Sequence, residues 1–485
     1  MTGSLSNAKT EAGDRWWLLA IALLAFGLRV YQLGDHSLWF DETLSYWVAT
    51  TDIPGFLLPY GAYTPLYYLL IGGVSFIGKS EYLLRFPSVF FSVLSVVMIE
   101  RVGRRASGPR AGRLAALLLA INPFNLWYAQ DARMYAMTSF FVLLAMDGFM
   151  RGVEGRGWRR MIIGAAGAYF THTISLFIVY VQFIWWLPRF RRQGPLFRRW
   201  FGAHAIAALP LVPWLAWHFM QPIQGLAAVT WIPTPSLFAP LWTAWNFISA
   251  DTDTWTWLTS GLAVLALIIV IQGYRHTRHW RGLMIGWLVL PVLTAWVLSL
   301  RIQIYVDRYF AYSQFPLIVF LAIGLMSIRR VPIQLAVGAA LAGLMLVNSL
   351  RIYIDPMFDK EDWRGAAAIV NEQWRAGDRF GIQNEESLIA WSYYDQGGDL
   401  PVPLQSEQQP GALDRLSRGA DRVWLVYWSQ LESNHRLMKS VPFDVFTQNR
   451  SDHAAVAGQA LPTAAGQMAA HGRDGVDVLR TMSDA

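Results

Sequence analysis

The chain lacks cysteine and is poor in charged residues. There is no Cys among its 485 residues, which excludes disulfide bonds, thiol catalysis and cysteine-based zinc or iron–sulfur sites. Charged residues make up only 15% of the chain, against roughly 25% in a typical soluble domain. Hydrophobic residues make up 54%. With so little charge to cover its surface, a soluble enzyme of this size is excluded, and so is a disordered protein.

Charge is unevenly placed along the chain. Residues 1–350 contain 27 Lys and Arg and 14 Asp and Glu, a balance of +13, whereas residues 351–485 contain 13 and 19, a balance of −6. The basic residues stand in short clusters between apolar runs, which is typical of membrane topology and not of a nucleic-acid-binding face. We therefore expect a basic membrane domain, an acidic terminal domain and no nucleic-acid partner.

The apolar runs predict a polytopic α-helical membrane protein with about eleven transmembrane helices. The first run, from Trp16 to about Leu33, has no small-residue cleavage site at its end and is expected to be a retained helix. The run 160–187 is broken at 171–173 and basic at both ends, so it should cross and return as two short helices. Further runs approach the roughly 20 residues that a span needs, at 82–102, 112–128, 133–150, 200–220, 257–274, 282–299, 309–327 and 331–350.

Orientation follows from the arginine-rich loops. If the run 64–78 lies in the interface or re-enters, all of these loops fall on the cytoplasmic side, at 101–113, 151–160, 189–199, 275–281 and 329–330. This predicts a cytoplasmic N-terminus at 1–15 and a transmembrane domain at 16–350 with an external loop at 34–81. An extracytoplasmic α/β domain at 351–450 and a weakly ordered tail at 451–485 complete the chain. The helical spacing of 362–374 and the apolar segments 379–382 and 422–428 predict a helix followed by strands.

An acidic pair, Asp41-Glu42, stands in aromatic sequence just after the first span. The pair could cap a helix or face water. However, a carboxylate beside the membrane is costly unless it is used. A partly desolvated Asp41 could take a proton from a hydroxyl group.

Two external arginines are candidates for binding an anion. Arg133 follows Gln130-Asp131 at a predicted helix–helix turn, where it could pair locally with Asp131 or hold an anionic group. Arg308 stands in Asp307-Arg308-Tyr309 at the outer edge of a late span, against the positive-inside rule. It could reach lipid phosphates by snorkelling, or grip a phosphate with both guanidinium nitrogens.

Other polar groups carry weaker signals. Arg85 is a further phosphate candidate, Glu81 fits a charge in a first helical turn, and His172 at a helix break is typical of a packing residue. The sequence contains no His-Glu-x-x-His motif and no P-loop. No cofactor is implied, although a divalent metal stays open.

Taken in order, these segments resemble the GT-C glycosyltransferases of the protein-mannosyltransferase and aminoarabinose-transferase type (glycosyltransferase family 39-like). The resemblance rests on SLWFDE at 37–42, TPLYYLL at 64–70, SEYLLRFPS at 80–88, NPFNLWYAQDARMYAM at 122–137, DRYFAYSQFP at 307–316 and DWRGAAAIV at 362–370. Each motif is weak by itself, whereas their order and spacing are specific and touch most of the chain. Thr64 departs from the family, which often has His-Pro-Pro or Lys-Pro-Pro before Leu-Tyr-Tyr.

The resemblance implies a GT-C fold and an enzyme that uses a polyprenyl-phosphate-linked sugar on the outer face of the plasma membrane. Asp41 would be the general base and Glu42 would assist it. Arg133 and Arg308 would bind the donor phosphate, with Arg85 as a third candidate. A single base predicts inversion at the anomeric carbon. Four further residues of these motifs are candidates for substrate binding, namely Gln130, Asp131, Tyr67 and Tyr135.

Two other classes compete with the enzyme. A lipid or sugar transporter would place polar groups near the membrane midplane, often with repeat symmetry. This chain gathers them at one edge and shows no repeat. A membrane scaffold would not need Asp41, Arg133 and Arg308 to converge. The sugar and the acceptor (protein, lipid or glycan) stay open.

Overall fold

The computed structural model describes residues 2–51, 64–189, 191–220, 232–250, 257–277, 279–382, 385–395, 402–403, 422–428 and 443–449. The chain divides into two compact units. We call Met1–Leu33 with Val48–Asp355 the helical unit, and Gly34–Trp47 with Pro356–Ala485 the sheet unit. Residues 34–47, expected as part of a loop of the transmembrane domain, therefore group with the C-terminal residues. The predicted tail 451–485 lies outside the described residues.

The helical unit consists of helices joined by short turns. Within the described residues, two 3-10 segments interrupt them, Thr173–Leu176 and Asp307–Ser313. A further helix, α2 (Phe40–Thr50), begins in the sheet unit. The helices are α1 (Thr2–Val30), α3 (Pro65–Ser75), α4 (Glu81–Ser107), α5 (Pro109–Ala120), α6 (Pro123–Ala129), α7 (Tyr135–Val153), α8 (Trp158–Thr171), α9 (Phe177–Trp186), α10 (Gly194–Ala208), α11 (Leu211–Met220), α12 (Ala239–Ser249), α13 (Trp257–His276), α14 (Arg281–Leu298), α15 (Gln314–Ser327) and α16 (Val331–Ile354).

The break predicted at 171–173 is confirmed, since α8 ends there and a 3-10 turn leads into α9. Two runs expected to be continuous are divided. The run 112–128 breaks at Asn122, whose side chain accepts a hydrogen bond from the Asn125 backbone N–H at 2.8 Å, while Pro123 supplies no N–H at the first helical position. The run 200–220 breaks between α10 and α11 at Pro210, because proline disfavours continuation of a helix.

Six helical segments in the described part of the chain are long and apolar enough to cross a membrane. They are Glu81–Ser107, Tyr135–Val153, Thr259–His276, Arg281–Leu298, Asp307–Ser327 and Val331–Ile354. Shorter apolar helices lie at Trp16–Val30, Pro65–Ser75 and Thr173–Trp186. With 11 residues, α3 is about 16 Å long, roughly half the thickness of the hydrocarbon core.

Small residues bring neighbouring helices into close contact. α7 and α8 run antiparallel, and a Cβ atom added at Gly148 or Gly164 would collide with the backbone of Met161 or Ala145. α13 and α15 pack in the same way, with Gly273 against the Phe320 carbonyl and Gly324 against the Ile269 carbonyl. Such close approach favours helix association in lipid, where helices gain little from burying apolar surface.

The helical unit has two chemically different ends. The first, which we call the site end, carries Arg133, whose carbonyl accepts a hydrogen bond from Ser88 near the start of α4 at 3.2 Å. The second, the basic end, carries the α4–α5 and α7–α8 turns, where Arg105 pairs with Glu154. Two of the predicted arginine-rich loops, 101–113 and 151–160, therefore lie together.

The described C-terminal residues of the sheet unit form α17 (Trp363–Gln373), α18 (Glu385–Tyr394) and four strands, β1 (Asp378–Ile382), β2 (Val402–Pro403), β3 (Arg422–Trp428) and β4 (Phe443–Asn449). The strand order is β2-β1-β3-β4; β1 is parallel to β2 and β3, and β4 is antiparallel to β3. The predicted helix near 362–374 and the predicted strands at 379–382 and 422–428 are present. The buried core comprises Trp363, Ala366, Ala367, Val370, Phe380, Ile382, Ala390, Trp391, Trp424 and Val426.

Candidate functional site

Arg133 and Arg308 meet at the ring of Tyr135 in the helical unit. The guanidinium carbon of Arg133 lies 5.9 Å from the ring centroid, and that of Arg308 lies 6.0 Å from it. The Arg308 Nε–H donates a hydrogen bond to the Tyr135 hydroxyl at 3.1 Å. Two arginines 175 positions apart in the sequence therefore share one aromatic side chain, which holds both near the start of α7.

Local backbone structure fixes both arginines. Arg133 lies in the turn before α7, where its backbone N–H donates to the Asp131 carbonyl at 2.7 Å. Arg308 is the second residue of the 3-10 segment before α15. The preceding Asp307 accepts a hydrogen bond from the Asn246 amide of α12. Arg133 is buried and Arg308 half-buried, which leaves the second guanidinium partly accessible to a ligand.

Aromatic rings extend this arginine cluster. Tyr309 stacks on Tyr135 at 6.1 Å, and its centroid is 5.8 Å from the Arg308 guanidinium carbon. His172 lies 5.2 Å from the Tyr309 ring and 6.3 Å from the Tyr135 ring. The break between α8 and the following 3-10 turn therefore brings this histidine to the same end of the bundle as both arginines.

The hydrogen bonding of His172 fixes its tautomer. The Ile174 backbone N–H donates to His172 Nδ1 at 3.2 Å, so Nδ1 presents its lone pair. In the neutral ring the proton is then on Nε2, which is a hydrogen-bond donor. Sequence analysis interpreted His172 as a packing residue; its place at a helix break was the available signal for another role.

The remaining expected site residues of the helical unit are Arg85, Gln130, Asp131 and Tyr67, of which Gln130 is half-buried and the other three are buried. Arg85 donates to the Leu33 carbonyl at 3.0 Å. The Gln130 amide nitrogen donates to the carbonyls of Arg29 and Tyr31 at 3.1 and 2.7 Å. Asp131 and Tyr67 are buried, and the ring of Tyr67 packs edge-on against Tyr68. Arg85 and Gln130 therefore bind backbone carbonyls at and just after the end of α1.

The acidic pair belongs to the sheet unit. Asp41 and Glu42 form the first turn of α2. Glu42 is fully buried, and its carboxylate pairs with the Lys360 ammonium at 3.2 Å and accepts from the Trp39 backbone N–H at 3.3 Å. Asp41 is half-buried. Glu42 is therefore paired with Lys360 inside the sheet unit, and Asp41 is the more exposed of the two carboxylates.

Glu361 binds the first backbone N–H of α2 and was not among the site residues predicted from the sequence. Its carboxylate accepts hydrogen bonds from the Phe40 backbone N–H at 3.1 Å and from the Trp363 indole at 2.6 Å. Burial raises the pKa of Glu361 to about 7, and the carboxylates of Asp41 and Glu42 act in the same direction, while the two hydrogen bonds oppose them. Glu361 thereby positions the turn that carries Asp41.

The chemistry of the arginine cluster suits a phosphate group. Guanidinium groups bind phosphate oxygens with paired, charge-assisted hydrogen bonds. A neutral imidazole adds a donor, and tyrosine rings surround the charges with a low-dielectric wall. Within the described residues no group of three or more His, Asp and Glu side chains could hold a metal ion.

Comparison with known proteins decides the fold. No protein-family model matches the chain, and neither does any curated protein sequence. The structure of ArnT from Cupriavidus metallidurans in the apo state is similar, with a TM-score of 0.62 and 13% identity over 85% of this chain and 93% of that one. The chain has the GT-C fold. The expectation drawn from the ordered motifs is thereby confirmed.

Two ligand-bound structures share this GT-C fold. ArnT from C. metallidurans bound to undecaprenyl phosphate has a TM-score of 0.60 and 13% identity, over 84% of this chain and 92% of that chain. The archaeal oligosaccharyltransferase AglB from Archaeoglobus fulgidus, in complex with an inhibitory peptide and a dolichol-phosphate, has a TM-score of 0.52 and 12% identity. The match covers 85% of this chain and 69% of that chain.

A fully buried arginine in this GT-C fold was missed from sequence. Arg29 donates hydrogen bonds to Ser92 Oγ at 2.7 Å and to Asn125 Oδ1 at 2.8 Å. It also donates to the carbonyls of Ala25, Leu119 and Ala120 at 3.0, 3.2 and 2.9 Å. These contacts join α1, α4, α5 and α6. Because Arg29 stands near the end of the first apolar run, it has the appearance of an ordinary residue of a helix end.

Proposed function

We propose that this chain is an integral membrane glycosyltransferase that transfers a sugar from a polyprenyl-phosphate donor to a hydroxyl acceptor on the outer face of the plasma membrane. The observation that carries the proposal is the pair of guanidinium groups, Arg133 and Arg308, on one tyrosine at the site end. The GT-C fold supports it, since neighbours with this fold bind undecaprenyl phosphate and dolichol-phosphate.

In this mechanism Arg133 and Arg308 hold the donor phosphate. Charge builds on the phosphate as the bond between its oxygen and the anomeric carbon breaks, and fixed donors in a site of low dielectric stabilise that charge. One such donor typically lowers the barrier by about 2–4 kcal/mol. The His172 Nε2–H supplies a third donor. Arg85 is a further candidate for binding the same phosphate. The candidates for contacts with the sugar or the acceptor are Asp131, Gln130, Tyr67 and Tyr135.

Asp41 acts as the general base. The acceptor oxygen forms its bond to the anomeric carbon while the phosphate leaves with the electron pair of the broken bond, and the hydroxyl proton passes to the Asp41 carboxylate. One displacement on the face opposite the phosphate inverts the anomeric configuration. Glu42, paired with Lys360, assists by orienting the turn.

The proposed topology has about eleven transmembrane helices, with the N-terminus in the cytoplasm and the sheet unit outside. α3 then lies in the interface or re-enters the membrane. This arrangement follows from the positive-inside rule applied to the arginine-rich loops of the basic end.

Binding of undecaprenyl phosphate to the purified full-length chain tests the phosphate site. We expect Arg308→Ala to weaken binding by about tenfold or more, because a charge-assisted hydrogen bond contributes roughly 1.5–3 kcal/mol. Arg301→Ala is the matched control, since Arg301 is an exposed arginine on the same inter-helix segment. Equal affinities of wild type and Arg308→Ala would count against the phosphate role.

Transfer from a polyprenyl-phosphate sugar tests the base. Asp41→Asn should lower the rate of transfer by about 10²–10⁴-fold and leave the affinity for undecaprenyl phosphate unchanged. If the chain instead moves the lipid-linked sugar across vesicles without transferring it, and Asp41→Asn has no effect, it is a transporter. Near-normal transfer by Asp41→Asn would remove Asp41 as the base.

A further inference from the structure

A cavity of about 580 Å³ lies at the basic end of the helical unit, away from Arg133 and Arg308. α1 contributes Leu18 to its wall. The other described residues of its wall are charged side chains of α4, of the last turn of α7 and of the residue that follows it, namely Glu100, Arg101, Arg104, Arg105, Arg151 and Glu154. The proposed transfer reaction uses none of these residues, so the cavity needs its own explanation.

The charges that line the cavity do not cancel. Among the described residues of its wall, four arginines and two glutamates give a balance of 4 − 2 = +2. Arg104 pairs with the buried Glu100 at 2.6 Å, and Arg105 pairs with Glu154. The excess charge therefore belongs to Arg101 and Arg151. Within the described part of the chain, neither of these two guanidinium groups has a carboxylate partner.

Ion pairs also connect the helices around this cavity. Arg105 reaches the fully buried Asp147 of α7 at 3.5 Å, and Asp147 pairs in turn with Arg160 of α8. Arg101, Arg104 and Arg105 lie on one face of α4, because residues three and four apart are neighbours on a helix. α4, α7 and α8 are thus connected beneath the two arginines that carry the excess charge.

Apolar surface adjoins this charged cavity. Along α1, on either side of Leu18, Trp17, Leu19 and Leu23 expose 62%, 46% and 60% of their surfaces. In a membrane protein such side chains face lipid acyl chains. An anionic head group beside a long apolar tail matches the two surfaces together, whereas a small soluble anion would use only the first.

We propose that this cavity binds the head group of an anionic glycerophospholipid from the leaflet at the basic end. Arg101 and Arg151 bind the phosphate diester through paired guanidinium hydrogen bonds, and the acyl chains lie along the exposed face of α1. The lipid joins α1 to α4 and α7 at the end of the bundle opposite the arginine cluster. The inference is independent of the proposed transferase activity.

Native mass spectrometry of the full-length chain tests this proposal. The protein is released from detergent micelles that contain phosphatidylglycerol or phosphatidylcholine with the same acyl chains. We expect the wild type to retain phosphatidylglycerol at least about tenfold better than phosphatidylcholine, and Arg101→Gln/Arg151→Gln to lose this preference. The matched control is Arg156→Gln/Arg159→Gln, which removes the same charge from exposed positions outside the cavity wall and should retain the lipid.

Two outcomes would overturn the proposal. In the first, the cavity variant retains phosphatidylglycerol as well as the wild type does. In the second, excess glycerol phosphate displaces the lipid, which would identify the site as one for a soluble phosphate. If the double variant is not recovered folded, Arg101→Gln and Arg151→Gln carry the test singly, each with about a tenfold loss.

Discussion

Arg29 and Glu361 are both buried ionisable side chains, and the surrounding structure accommodates them in different ways. Arg29 keeps its charge inside the helical unit because five hydrogen bonds, three of them to backbone carbonyls, satisfy the guanidinium. Burial raises the pKa of Glu361 in the sheet unit to about 7, and two neighbouring carboxylates add to this rise, while its two hydrogen-bond donors oppose it. Below neutral pH, a proton on Glu361 is therefore part of the folded state.

The raised pKa of Glu361 predicts a pH dependence of stability. The folded state keeps the proton up to about pH 7, whereas the unfolded chain releases it near the ordinary value of 4.5. Its contribution, on the order of 3 kcal/mol, is therefore complete below pH 4.5 and lost as the pH rises through 7. Thermal unfolding of the full chain between pH 4.5 and 8 measures this loss.

Glu361→Gln is the control for this pH effect. It resembles the protonated acid and keeps an oxygen for the Phe40 and Trp363 donors, so it should flatten the loss of stability across the window. A pH dependence identical to that of the wild type would assign the effect to another group.

The Nε2–H donor of His172 allows a prediction about binding of the lipid phosphate. His172→Phe removes the Nε2–H donor and should weaken binding of undecaprenyl phosphate by about tenfold. His172→Gln places an N–H near the same position and should restore most of the affinity. Equal affinities in both variants would contradict the role, while binding by the wild type would still support the phosphate site.

Among single residues, the sequence singled out Arg133 and Arg308 of the arginine cluster but not the buried Arg29 or Glu361. Arg133 and Arg308 stood out because external arginines oppose the usual charge distribution of membrane proteins. Four of the five partners of Arg29 lie 63 to 96 positions away along the chain, and Phe40, which donates to Glu361, lies 321 positions away, so the local sequence does not show them. Long-range hydrogen bonds of this kind depend on the tertiary fold and cannot be read from spacing.

Helices in this molecule begin, end and approach one another where particular residues allow it. Asn122-Pro123 ends one run and starts the next, and Pro210 separates α10 from α11. Hydropathy alone predicted both runs as continuous, because it records the apolar content of a segment and not the hydrogen bonds that its backbone loses. The break at His172 was predicted, since three polar residues interrupt the apolar run there.

The contact between α7 and α8 predicts a sharp difference between two glycines. Gly164→Ala places a methyl group against the Ala145 backbone and should destabilise the protein by about 1–3 kcal/mol, as overpacking does. Gly343→Ala on α16 meets no atom within 4 Å and should be neutral or slightly stabilising, because alanine is the better helix former. Thermal unfolding in detergent compares the two variants. Equal effects would mean that the contact is looser than described.

Over the whole molecule, charge and polarity separate by position. The basic end gathers Arg104, Arg105 and Arg160 into ion pairs, while the site end carries Arg133 and Arg308 among aromatic rings. Sequence predicted this separation from clusters of arginine between apolar runs. It did not predict that residues 34–47 group with the sheet unit, because that grouping depends on pairs such as Glu42 with Lys360, which are 318 positions apart in the sequence.

The absence of cysteine makes the topology directly measurable, since single cysteines can be introduced without background. The positive-inside rule predicts that Arg301→Cys and Ile369→Cys, at exposed positions before α15 and in α17, react with a membrane-impermeant maleimide in intact cells. Arg156→Cys and Arg330→Cys, exposed on arginine-rich loops, should react only after permeabilisation. Labelling of Arg301→Cys and Ile369→Cys from opposite sides would separate the proposed base from the proposed phosphate site by a membrane. The glycosyltransferase mechanism would then be wrong whatever the fold, because one sugar phosphate cannot reach both.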